Sequence, residues 1–207
     1  MEHKAWNELE KAPTEERASN RIRRRKQKQG SSLVLQLVLV VAFALILRNF
    51  IIGTVYVKGS SMEPNFHHGD LVFINKLALK AGTPKRGDII ICRLHEDGRE
   101  ENIIKRVIGL PGDRVNIVRK GEDRDGAFAL YLNGELIEEP FLGEPMMTGG
   151  NMEYPFLVPE NSYFVMGDNR NASTDSRKKT VGAIPKADLV GKVVFRLYPF
   201  DGFGFVK

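Results

Sequence analysis

Three short segments carry residue types whose order could do chemistry. The first, Val57-Lys58-Gly59-Ser60-Ser61-Met62-Glu63-Pro64, runs out of a β-branched stretch. The second is Lys105-Arg106-Val107-Ile108-Gly109-Leu110-Pro111-Gly112-Asp113. The third, Gly167-Asp168-Asn169-Arg170-Asn171-Ala172-Ser173-Thr174-Asp175-Ser176-Arg177, is a polar loop after an apolar run. Taken singly, a Gly-Ser pair and a Gly-Asp-Asn-Arg run are ordinary turn chemistry. Lys105 is less ordinary, because Ile103, Ile104, Val107 and Ile108 surround it in sequence. Such a setting strips water from the amine, disfavours the ammonium form and lowers its pKa. A neutral lysine can take the proton of a serine hydroxyl as a general base.

Histidine chemistry is poorly supported. The four histidines are His3, His67, His68 and His95. His67 and His68 fall in a turn too close to Ser61 to act as a separate base, and His95 reads as part of a polar loop. No His or acid at helical spacing joins His67 and His68 into a metal site. The stretch Glu122-Asp123-Arg124-Asp125-Gly126 lacks the ligand register of a calcium loop and reads as a solvated turn. Cys92 is the only cysteine, so there is no intrachain disulfide and no multi-cysteine zinc site.

The elements that must hold these residues read as β. Residues 55–57, 71–74, 88–93, 102–108, 115–118, 163–166 and 189–198 have strand length and composition. Residues 131–137 read as a hairpin, because Asn133-Gly134 supplies the two positive φ values of a type I′ turn. No sustained helical period follows residue 53, which argues against a βαβ fold. The loop 138–154 is rich in Gly, Pro and Met, and loops of that length tend to be functional. Its neighbourhood offers Phe141, Met146, Met147 and Phe156 either to a lipid surface or to packing beneath the loop, and the sequence leaves both open.

The chain has 207 residues, 42% hydrophobic and 28% charged, with a net charge of +5. Nine basic and five acidic residues fall in positions 1–30, leaving 22 basic and 21 acidic for the rest. The charge therefore belongs to a tail on a nearly neutral body. Residues 33–52, LVLQLVLVVAFALILRNFII, are interrupted only by Gln36, Arg48 and Asn49. About 20 helical residues span the roughly 30 Å hydrocarbon core of a bilayer. Arg48 stands where it can snorkel to the far interface. Seven basic residues from Arg17 to Lys28, with no acid among them, place the N-terminus in the cytoplasm and the body outside. The run is too long for a cleavable signal peptide, and Gly53-Thr54-Val55 is a poor cleavage site. The tail shows no heptad, zinc spacing or helix-turn-helix pattern, so nucleic acid is not expected as a partner.

In order and wording, the three segments resemble the signature boxes of bacterial type I signal peptidases, in their compact Gram-positive-like form. The resemblance covers nearly all of residues 31–207. It implies a mainly β fold: an antiparallel catalytic β domain (53–207) behind a single transmembrane helix (31–52) and a basic cytoplasmic tail (1–30). It also implies a cell-membrane protein of single-pass type II topology. Ser61 matches the family nucleophile and Lys105 its general base. Ser173 matches the hydroxyl that orients the lysine. Asp175 and Arg177 match a pair bracing that loop, and Asp168 braces Arg106. Val55, Val57, Met62 and Ile104 match the lining of small-residue substrate pockets. Gly59 stands where some members carry an oxyanion-hole serine, which leaves the Ser61 backbone N–H as the chief donor and the second donor unassigned. Asn65-Phe66 replaces the usual Thr-Leu after the proline, a change expected to affect turn packing.

The implied activity is removal of signal peptides from secretory preproteins after Ala-x-Ala-like sites, with the bilayer as a partner and neither cofactor nor metal. Ser61 lies nine residues past Ile52, at most about 30 Å of extended chain. Enzyme and membrane-held substrate would thus meet at one interface, which raises their effective concentration. Two rival readings remain distinct. Self-cleaving repressors share the Ser–Lys logic but need a DNA-binding domain or cleavable tail. A tethered, non-enzymatic β domain explains the strands and leaves the Ser61 and Lys105 boxes unexplained.

Overall fold

The computed structural model describes residues 33–45, 52–96, 98–121 and 126–206. The chain divides into two compact units, Met1–Arg48 and Asn49–Lys207. In the first, residues 33–45 form helix α1. Among the described residues no helix is long and apolar enough to cross a membrane. The expected tail, the flanks of the expected anchor at 31–32 and 46–51 with Arg48, and residues 122–125 of the acidic stretch lie outside the described residues.

Among its described residues the second unit has twelve strands, one short α-helix and two single-turn 3-10 helices, Lys186–Asp188 and Phe200–Gly202. Strand β1 is Ile52–Tyr56, so Ile52 opens the sheet rather than closing the anchor, and Val57 follows the strand as a buried residue. Then come β2 (Leu71–Asn75), α2 (Leu77–Ala81), β3 (Ile89–Glu96), β4 (Arg99–Gly109) and β5 (Arg114–Arg119). The hairpin is β6 (Phe128–Leu132) and β7 (Glu135–Leu136), turning at Asn133 (φ 54°) and Gly134 (φ 91°) as a type I′ turn requires. The last strands are β8 (Phe156–Leu157), β9 (Ser162–Met166), β10 (Ile184–Pro185), β11 (Leu189–Tyr198) and β12 (Gly204–Phe205). β3 extends past the expected boundary and takes in His95. That residue is therefore on a strand, between Asp188 (3.1 Å) and Glu100 (3.5 Å), and not in a loop.

The strands form two antiparallel sheets. The larger has the order β1-β2-β11-β3-β4-β9-β10, with β12 on β11; the smaller is β7-β6-β5-β8. β2 shows how residue pattern becomes layer: Val72 and Ile74 are buried, while Leu71, Phe73 and Asn75 on the other face are partly open. β4 lies between β3 and β9, and every residue from Lys105 to Gly109 is buried. A strand covered on both faces reads as a near-continuous apolar run. That is why Lys105 and Arg106 are carried into the interior. Val57, Met62, Phe66, Val72, Ile74 and Ile104 form one apolar cluster, and Ile108, Val115, Leu130, Met146 and Phe164 belong to a second near the smaller sheet.

Candidate active site

Ser61 sits on the loop between β1 and β2. The loop is closed at its base, where the Val57 N–H donates to the Asp70 carbonyl (2.8 Å) and the Gly69 N–H to the Val57 carbonyl (2.9 Å). The chain turns out of β1 at Gly59, whose φ of +80° falls in the left-handed region that a side chain resists. Its N–H donates to His68 Nδ1 at 3.2 Å. Among the described residues the Ser61 N–H has no acceptor.

Lys105 reaches this loop from β4, where it pairs with Ile90 of β3. It is 2% exposed. Its Nζ lies 2.7 Å from Ser61 Oγ and donates to the Ile104 carbonyl at 2.9 Å. Loss of water around the amine lowers its pKa, and this outweighs the opposing pull of Asp175, Cys92 and Asp168. A neutral amine suits these contacts: one N–H goes to the carbonyl, and the lone pair remains for the serine proton.

The third polar segment wraps the other side of Ser61. The Asn169 N–H donates to the Ser61 carbonyl at 3.0 Å. Asp175 is buried and accepts from the Gly167 N–H (3.0 Å) and from Arg177 Nε and Nη2 (2.9 and 2.8 Å). Burial raises the Asp175 pKa, but the Arg177 guanidinium and the Gly167 N–H more than offset it and hold the carboxyl below its ordinary value. Arg106 makes a two-point contact with Asp168 (2.8 and 2.7 Å) and lies 4.1 Å over the Phe141 ring. Ser173 Oγ is buried beside Asp175, and among the described residues no hydrogen bond joins it to Lys105. The hydroxyl is nonetheless close at hand. A Cβ at Gly167 would run into both Ser173 Oγ and the Ser61 carbonyl, so glycine is what lets the two loops meet.

Val57, Met62 and Ile104 are buried in one core cluster with Val55 packed against it. The described histidines make no hydrogen bond to Ser61 or Lys105. Among the described residues no group of three or more side chains is arranged to hold a metal ion. Of the residues offered to lipid or packing, Phe141 lies against Arg106, Met146 is buried and Phe156 packs on Phe164 at 5.5 Å. Only Met147 of the four is exposed.

Two braces escaped the sequence reading. Asn65 Nδ2 donates to the Phe141 carbonyl (2.8 Å) and to Asp168 (2.9 Å), joining the nucleophile loop to two others. Arg170 makes a two-point contact with Glu139 (2.8 and 2.5 Å) and reaches the Gly167 carbonyl through Nε (3.0 Å). Arg170 stood in a segment already singled out, but nothing in the sequence pairs it with Glu139, thirty-one positions away.

Comparison with known proteins gives this geometry a family. The model of the family described as "Signal peptidase, peptidase S26" matches residues 31–198. The chain is 36% identical to a signal peptidase I of Bacillus licheniformis, over 91% of this chain and 96% of that one. It is 36% identical to signal peptidase I S of Bacillus subtilis (strain 168), over 80% and 87%. A crystal structure of a signal peptidase I from Enterococcus faecalis V583 is similar at 31% identity and a TM-score of 0.40, covering 53% of this chain and 96% of that one. A family model spanning most of the chain, and relatives above 30% identity along nearly their whole length, give one conclusion: the chain belongs to the signal peptidase family, peptidase S26.

Proposed function

We propose that this peptidase removes N-terminal signal peptides from exported preproteins, cutting after small-x-small sites of the Ala-x-Ala kind, with Ser61 as nucleophile and neutral Lys105 as general base. The observation that carries this reading is the 2.7 Å approach of the Lys105 amine to the Ser61 hydroxyl, at a buried site where loss of water lowers the amine's pKa. The serine proton passes to Nζ as Oγ attacks the scissile carbonyl. The oxyanion falls to the unpaired Ser61 N–H, and one such donor is worth roughly 3–4 kcal/mol. The lysine ammonium then protonates the leaving amine and the C–N bond breaks. Water, deprotonated by the same lysine, attacks the acyl ester and frees Oγ. Val55, Val57, Met62 and Ile104, which pack in one cluster, are assigned the small pockets that admit alanine and exclude larger side chains.

The same proposal holds residues 31–51 in the membrane, with the basic tail cytoplasmic and the β unit outside. An apolar surface supports placing that unit at the interface. Tyr56 and Tyr198 flank Leu71 in one row across β1, β2 and β11, and Phe73, Phe195 and Phe205 share the next. Phe205 is 83% exposed and Phe200 79%. Aromatic side chains are enriched where bilayer meets water.

The test is cleavage of a secretory precursor by detergent-solubilised full-length protein. Wild type should release the signal peptide, and Ser61→Ala should release none. A Ser61→Ala variant that cuts near the wild-type rate rules the nucleophile out.

A further inference from the structure

We propose that His68 is a positioning residue for the Ser61 loop: its exposed ring accepts the Gly59 N–H at Nδ1 and fixes the turn that presents Ser61. The inference rests on Ser61 being the nucleophile and assigns a role to a histidine that neither the base nor any metal chemistry uses.

The geometry is specific. Gly59 lies two residues before Ser61, at the point where a positive φ takes the chain out of β1. Below it the loop is tied by the Val57–Asp70 and Gly69–Val57 backbone pairs. Above it the Ser60 carbonyl accepts from the Glu63 N–H (3.1 Å), and the Ser61 carbonyl from the Asn169 N–H (3.0 Å). Between those ties, the bond from Gly59 to His68 (3.2 Å) is the one hydrogen bond donated by the amides of Lys58, Gly59 and Ser60 among the described residues. A Cβ at Gly59 would meet nothing within 4 Å, so no side chain packs directly over the turn, and between buried Val57 and Met62 the bond to His68 is the one side-chain tie of residues 58–60 among the described residues.

Two consequences follow for the reaction. The Gly59 N–H is engaged by His68 and so is not the second oxyanion donor, which leaves the Ser61 N–H as the chief one. The imidazole must also carry its proton on Nε2, because Nδ1 accepts. A peptide N–H held by a side-chain acceptor resists rotation of its plane, and that plane is one peptide removed from the N–H awaiting the oxyanion. Small misplacements of a reacting group lower turnover more than binding.

The substitutions that test this separate the acceptor from the ring. Asn places Oδ1 where Nδ1 stands, whereas Gln places Oε1 nearer the position of Nε2. With full-length protein and a secretory precursor, His68→Ala and His68→Gln should each lower kcat about three- to ten-fold with KM little changed, the scale expected for one hydrogen bond. His68→Asn should stay within about two-fold of wild type, as should His67→Ala. In ¹⁵N-histidine-labelled protein, the signal lost in His68→Asn should be that of an unprotonated Nδ1. Wild-type kcat in His68→Ala, equal rates for His68→Asn and His68→Gln, or a protonated Nδ1 would each overturn the proposal. Because His68 is exposed, the variants should melt with the wild type; if one does not, the nitrogen signal of the unmutated chain decides alone. Ser61→Ala measured beside them keeps the two readings apart: an inert His68→Ala with a dead Ser61→Ala removes the clasp and leaves the nucleophile.

Discussion

The buried setting of Lys105 disfavours the ammonium form that the unfolded chain would carry. Its folded pKa lies below the ordinary 10.5, chiefly through loss of water. Between those two values the unfolded chain binds a proton that the folded chain does not, so stability rises with pH across that window. At neutral pH the lysine therefore costs stability. Lys105→Met, which keeps the length and removes the titrating group, should abolish precursor cleavage yet melt a few degrees above wild type at pH 7. That gap should narrow as pH climbs toward 10.5, and melting curves at pH 7 and 10 read it directly. A variant that melts lower at both pH values would refute the argument. For the same reason cleavage by the wild type should increase with pH through the depressed lysine pKa. Lys105→Arg should not restore it, since a guanidinium does not deprotonate usefully.

Neighbouring strands and loops make that arrangement possible, and the sequence disclosed them unevenly. The β-rich body, the Asn133-Gly134 hairpin and the position of Lys105 among isoleucines and valines were legible, because alternation, turn residues and local hydrophobicity are short-range signals. The pairing of Arg106 with Asp168 came only through family resemblance, and that of Arg170 with Glu139 did not come at all. Those contacts depend on how distant loops fold together. Ser173, matched by resemblance to the hydroxyl that orients the lysine, is carried into the interior beside Asp175, and no short-range signal in the sequence places it there. The loop from Gly167 to Arg177 nonetheless has a definite keystone. Asp175 ties Gly167 to Arg177, whose Nη1 also reaches the Thr148 carbonyl (3.0 Å). Asp175→Asn leaves a buried guanidinium without its counter-charge, a change that costs about 3–5 kcal/mol. Because the folded pKa of Asp175 is depressed, its contribution is present above the unfolded carboxylate value and lost as pH falls through the folded one. Chemical denaturation from pH 7 downward should show a large gap between wild type and variant that shrinks in acid. A gap of under 1 kcal/mol at pH 7 would remove Asp175 from this role.

At the scale of the whole molecule, one sheet serves two surroundings. The inward residues of β1 and β2, Val55, Val72 and Ile74, pack with Met62, the residue after Ser61, and with Ile104, the residue before Lys105. The outward residues of β1, β2, β11 and β12 present Tyr56, Phe73, Phe195, Tyr198 and Phe205, extended by Phe200 and Phe203. Five of these rings, Tyr56, Tyr198, Phe200, Phe203 and Phe205, are exposed, and a soluble domain rarely leaves so large an apolar patch without a partner. β1 begins at Ile52, directly after the apolar run, and the proposed substrate is itself held in the bilayer by its signal sequence. An aromatic face meeting lipid would keep the Ser61 loop at the depth where that substrate leaves the membrane. Phe200→Ser with Phe205→Ser should therefore lower cleavage of a full-length precursor in phospholipid vesicles by roughly ten-fold, since each ring withdrawn from water is worth up to about 2 kcal/mol. Turnover of a short soluble peptide in detergent should change less than about two-fold, because neither ring contacts Ser61 or Lys105. Equal losses in both assays would make the face a part of the fold, and no loss in vesicles would leave it without the lipid.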